Sequence, residues 1–296
     1  MNTARSSAPP PWGRPSSSVV LCASDVPSAR KRGKRPRAEA DASGHAQHQQ
    51  AQGNTLGGLQ VPQNGYTLNP LTASTPTGRP TDFKFTVTGP GGKPVVDYKG
   101  EHEKKLHFIV VSRDLTSFQH VHPEMTRDGT WSAKLTLPKA GPYRAFADFT
   151  PKGGENLTLG ADLQAAGGDY QPEPLPHVSR TSTIGEYTVN LAGNLVPGHA
   201  SKLTLSVNKS GKPLSHLQPC HLVALRADDL TYLHVHPEAS EKAGPEITFH
   251  AEVPSGGDYR LFFDFRHDDT VRTADFTVTA VLSDGHVPSA THDHGH

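Results

Sequence analysis

Cysteine, methionine and tryptophan occur only twice each in the 296 residues, and these shortages exclude several chemistries. Cys22 lies in a polar tail and Cys220 beside an expected strand, so a disulfide framework is not indicated. Cys220 directly precedes His221, so it faces the other side of that strand and reads as buried and inert. No cysteine stands near a C-terminal strand to supply a thiolate, which disfavours a blue-copper electron carrier. Met1 and Met125 are too few for a thioether-rich Cu(I) site. The Cys and Trp marks of antibody domains are absent too.

Long apolar runs are also missing. "VVLCA" at 19–23 is too short for a signal h-region, and nothing reaches the length of a membrane span. Charge of one sign is not in excess, with 29 Lys plus Arg against 29 Asp plus Glu, so the chain as a whole gives no reason to expect nucleic acid as a partner.

Histidine, glycine and proline are abundant, at 18, 28 and 26 residues. Residues 1–58 are polar, carry the basic run "RKRGKRPR" at 30–37 and show no sustained period, as expected of a disordered tail. From residue 59 short alternating segments such as "DFKFTVTG", "KLHFIVVS" and "YRAFADFT" are cut by Gly and Pro about every ten positions, the pattern of an all-β sandwich.

The pattern then repeats. "GYTLN" at 65–69 returns as "EYTVN" at 186–190, "GPYRAFADF" at 141–149 as "GDYRLFFDF" at 257–265, and "LTSFQHVHPE" at 115–124 as "LTYLHVHPE" at 230–238. A period of roughly 115 residues is too long for a solenoid unit and suits tandem domains. The expected organisation is two immunoglobulin-like or cupredoxin-like β-sandwiches at 59–166 and 184–281, a linker at 167–183, and a His-rich tail at 282–296 containing His286, His292, His294 and His296.

In the first repeat His107 precedes His120 and His122 by thirteen and fifteen residues, and His221 precedes His234 and His236 by the same intervals. Each set reads as a hairpin, turning at Asp114 or at Asp228-Asp229. Facing residue numbers then sum to 229 in the first repeat and 457 in the second, which sets His107 opposite His122 and His221 opposite His236. Three imidazoles share one face of each hairpin in that register.

Three neutral imidazoles suit Zn²⁺ or Cu²⁺, so one ion per hairpin is expected. Asp148 and Asp264, equivalent in "YRAFADF" and "YRLFFDF", are candidate fourth ligands, although each could instead pair with Arg144 or Arg260. Glu124 and Glu238 are weaker candidates because each follows a proline that ends the strand. A His-x-His pair can also simply cap a sandwich by bonding loop backbone; three histidines on one face favour metal.

The segments "EHEKKLHFIVVSRDLTSFQHVHPEM", "GTWSAKLTLPKAGPYRAFADFTP", "HLVALRADDLTYLHVHPE" and "GDYRLFFDFRH" resemble a group of uncharacterised bacterial envelope proteins with tandem cupredoxin- or immunoglobulin-like domains and His-x-His-Pro segments. The resemblance spans about residues 60–281 and implies an exported or membrane-anchored protein, whereas the first 58 residues show neither signal nor anchor. Together these features lead to the expectation of a non-enzymatic metal-binding protein of the cell envelope. Copper or zinc is the expected ion, buffering, delivery or tolerance the role, and metal ions and another envelope protein the partners. The alternatives are an envelope interaction module without metal and, further off, a cupin-like metalloenzyme. The cupin reading is weakened because Glu124 follows His122 by two residues rather than about four.

Overall fold

The computed structural model describes residues 56–100, 104–214, 220–233, 235–238 and 246–281, the side chains of Cys220 and His236 excepted. The described residues are all-β, with no helix among them.

The first sandwich runs β1 (Pro62–Gln63), β2 (Tyr66–Pro70), β3 (Ser74–Pro76), β4 (Thr81–Thr88), β5 (Tyr98–Lys99), β6 (Leu106–Ser112), β7 (Phe118–Val121), β8 (Glu124–Met125), β9 (Thr130–Leu135), β10 (Gly141–Pro151) and β11 (Leu157–Ala166). The second runs β12 (Thr181–Ile184), β13 (Tyr187–Ala192), β14 (Ala200–Lys209), β15 (Lys212–Pro213), β16 (Cys220–Arg226), β17 (Tyr232–Leu233), β18 (Val235–Pro237), β19 (Glu246–Glu252), β20 (Gly257–His267) and β21 (Thr270–Ala280). Sheet β1-β2-β4-β9-β8 faces β3-β11-β10-β6-β7 in the first, and β12-β13-β14-β19-β18 faces β17-β16-β20-β21 in the second.

Alternation along the strands builds three cores, not two. Phe83, Phe85, Phe108, Trp131 and Tyr143 fill the first sandwich, with Phe85 and Phe108 stacked at 4.5 Å. Tyr187, Phe249, Phe263, Phe265 and Phe276 fill the second. The third core lies between the sandwiches, where Ile109, Val111, Leu115 and Phe146 meet Val223, Leu225, Leu230, Tyr232 and Phe262. In β6 the even positions point into the first core and the odd ones into this seam, which is why "FIVV" is apolar without a break. "LVAL" in β16 divides the same way.

The Asp-Leu-Thr turn of each repeat serves the seam. Leu115 and Leu230 adopt left-handed backbone at φ 59° and 63°, a conformation that costs an ordinary residue about 1–2 kcal/mol. In return each leucine is buried in the seam core. The preceding aspartate fixes the turn: Asp114 Oδ1 accepts from the backbone N–H and hydroxyl of Thr116, and Asp229 Oδ1 accepts the same pair from Thr231. Across the seam, Arg260 Nε donates to the carbonyl of Leu115 at 3.3 Å.

Both turns set the register that the sequence implies. Phe108 faces Val121 and Ile109 faces His120, a sum of 229, while Ala224 faces Leu233 and Leu225 faces Tyr232, a sum of 457. The second hairpin then departs from expectation. β17 ends at Leu233, the chain crosses to the opposite sheet, and His236 pairs with His250 of β19 instead of His221. Five positions separate Leu115 from His120 but only four separate Leu230 from His234, so the crossover comes earlier in the second copy and takes Val235 against the second core.

Candidate metal centre

β6 carries His107, and its antiparallel neighbour β7 carries His120, followed two residues on by His122. β16 brings His221 to the same place from the other side of the seam. The ring centroid of His221 lies 5.0 Å from that of His107, 5.2 Å from His120 and 6.4 Å from His122. Within the first sandwich the rings of His107, His120 and His122 are 4.9 to 5.2 Å apart. One donor atom from each of His107, His122 and His221 can be chosen so that all lie within 4.8 Å of one another.

The nitrogens converge more closely still in the first sandwich. His107 Nδ1 lies 3.0 Å from His120 Nε2 and 3.3 Å from His122 Nε2. A neutral imidazole nitrogen presents either one proton or one lone pair, so His107 Nδ1 cannot make a full hydrogen bond to both neighbours. A cation between the three would take all three lone pairs at once. Tetrahedral ligands at metal–nitrogen distances near 2.0–2.1 Å stand about 3.4 Å apart, close to the spacing here.

The protonation state also suits a metal. The pKa of His122 is pushed down from 6.5 to about 4, first by burial of its inner face and then by His120 and Lys104. The ring, whose outer side reaches solvent, is therefore neutral at pH 7 and has a lone pair to give.

Of the two expected carboxylate ligands, Asp264 bonds a histidine of the cluster and Asp148 lies across the strand pair from one. Asp264, directly across the strand pair from His221, binds His120 Nδ1 at 2.8 Å and accepts from Thr273 Oγ1. It thereby turns His120 Nε2 toward the other imidazoles, the arrangement by which an outer carboxylate orients a ligating histidine. Asp148 stands across from His107 and accepts from Asn156 Nδ2, from Thr158 Oγ1 and, over the seam, from the hydroxyl of Tyr232. Burial, then the charge of Asp148, raises the Tyr232 pKa well above its ordinary value.

Two of the remaining candidates, Glu124 and Glu238, have other neighbours among the described residues. His234 and the side chain of His236 lie outside the described residues, and the backbone of His236 belongs to the other sheet. Glu124 faces Ser132 in β9, and Glu238 stands 3.5 Å from Lys202 Nζ. The C-terminal histidine tract and the side chain of Cys220 are likewise outside the described residues. Thr158, Thr273 and Tyr232 escaped sequence reasoning. The signal for the threonines was their equivalent place, each directly opposite its aspartate in the following strand.

The family described as "Domain of unknown function (DUF8832)" matches residues 60–167 and 182–281, and the chain belongs to it. Among curated proteins no match is found. Solved structures with similarity include the FdeC adhesin of Escherichia coli, at 14% identity and a TM-score of 0.27 over 74% of this chain and 65% of that one. Invasin, a bacterial integrin-binding protein, gives 12% and 0.23 over 74% and 39%, and Salmonella alpha-2-macroglobulin gives 14% and 0.27 over 76% and 15%. The chain thus spans less than two thirds of the length of each.

Proposed function

We propose that this is a metal-binding protein of the cell envelope which holds one Zn²⁺ or Cu²⁺ at the seam through His107, His120, His122 and His221. The observation that carries the reading is the approach of His107 Nδ1 to two other imidazole nitrogens, at 3.0 and 3.3 Å. An all-imidazole set suits these borderline ions, whereas hard Ca²⁺ and Mg²⁺ take oxygen ligands. His122, at the exposed rim, gives the ion a way in and out, as buffering, delivery or tolerance would require. One ion is proposed because the described imidazoles of both repeats meet at one place.

The competing reading is an envelope interaction module in which the histidines only bond one another and Asp264. The His120–Asp264 pair at 2.8 Å is as compatible with a structural tie as with a ligand support. Extracytoplasmic placement belongs to both readings; among the described residues no helix is long and apolar enough to cross a membrane.

Titration of the full chain with Zn²⁺ or Cu²⁺, followed by thermal denaturation, separates the two. The metal reading predicts one tight ion, a raised melting temperature through binding to the folded state, and loss of both in His120→Ala/His122→Ala. Unchanged melting with no tight ion would return the cluster to a structural role.

A further inference from the structure

Three of the four imidazoles belong to the first sandwich and the fourth to the second, which also supplies Asp264 behind His120. The ion site is therefore incomplete in either sandwich alone. Away from the histidines the same two strands, β6 and β16, contribute Val111 and Leu225, both buried in the seam core. Each of these is four residues along its strand from His107 or His221, about 13 Å at the usual rise per residue.

We infer that the bound ion clamps the two sandwiches together, so that occupancy of the histidine cluster and closure of the apolar seam reinforce each other. The inference rests on the metal reading above and adds to it a control on the arrangement of the two sandwiches. Linkage makes the effect reciprocal: if the ion tightens the seam by some factor, the seam tightens the ion by the same factor. A site contained in one sandwich would show no such dependence on distant seam residues.

The test is the Zn²⁺ affinity of the full chain carrying Leu225→Ala or Val111→Ala, one from each side of the seam. His120→Ala/His122→Ala serves as the baseline for Zn²⁺ held by histidines elsewhere. Val87→Ala provides the control, because Val87 is buried in the first core and takes no part in the seam. The clamp predicts that each seam variant loses about fivefold or more in affinity and that Val87→Ala keeps the wild-type value. Val111→Ala removes less volume and carries the test if Leu225→Ala does not fold.

Wild-type affinity in the seam variants would overturn the clamp while leaving the metal site standing. An equal loss in Val87→Ala would also overturn it, since the effect would then follow stability in general. Absence of tight Zn²⁺ in the wild-type chain would remove the clamp together with the metal reading.

Discussion

The two copies of His-Val-His-Pro-Glu have the same five residues and different surroundings. In the first, β7 stays beside β6 as far as Val121 and delivers His120 and His122 to the seam. In the second, the chain leaves β16 after Leu233 and pairs His236 with His250 in the opposite sheet. The copies differ by one residue between the turn leucine and the motif. With one residue fewer, the second copy has crossed between sheets by His236, whereas the first stays beside β6 to Val121 and reaches β9 only at Glu124. Among the described residues, duplication has thus produced a histidine cluster that draws on both repeats, and the apolar seam is what brings the second repeat to it.

That difference can be tested from its largest consequence downward. Phe146 and Phe262 occupy equivalent places in the two repeats and both fill the seam, Phe262 stacking on Phe118 at 4.2 Å. Phe262→Ala and Phe146→Ala are each expected to cost about 3–5 kcal/mol, read as a lowered urea midpoint. A cost near zero for either would mean that the seam is not a core.

Between the two motifs the expected effects are unequal. His122→Ala should weaken Zn²⁺ by more than the roughly 10–100-fold typical of outer-shell changes, while His236→Ala leaves the seam ion close to its wild-type affinity. Equal losses would mean that the second motif joins the centre after all. Asp264→Asn, which keeps a partner for Thr273 but weakens the hold on His120, should cost about 10–100-fold in affinity with little change in stoichiometry.

The smallest effect concerns acid. In the unfolded chain His122 takes up its proton near 6.5, whereas in the folded protein it stays neutral down to about 4. The unfolded state therefore binds more protons in this window, and stability without metal should fall as pH drops from about 6.5 toward 4. Melting temperatures across that range should fall less steeply in His122→Ala; identical slopes would show that another group carries the dependence.

Much of this was legible in the sequence because it depends on local rules. Asp114 and Asp229 mark the turns, and the period of two then fixes that His107, His120 and His122 share a face. The early departure of the second hairpin was not legible, since it depends on the pairing of β18 with β19 across the sandwich. The seam left a trace that was not used: "FIVV" and "LVAL" are apolar on both faces, so each needed a cover beyond its own sandwich. The repeat pattern offers Asp264 to the second hairpin's own histidines, and only the assembled seam shows that it reaches His120 of the other repeat.

The central claim is a single centre with donors from both repeats, and X-ray absorption at the zinc edge tests it most directly. With one equivalent of Zn²⁺ bound, the wild-type chain should show about four imidazole nitrogens at roughly 2.0–2.1 Å, and His221→Ala should show one fewer. A first shell left unchanged by His221→Ala would contradict the account, because the ion would then owe nothing to the second sandwich.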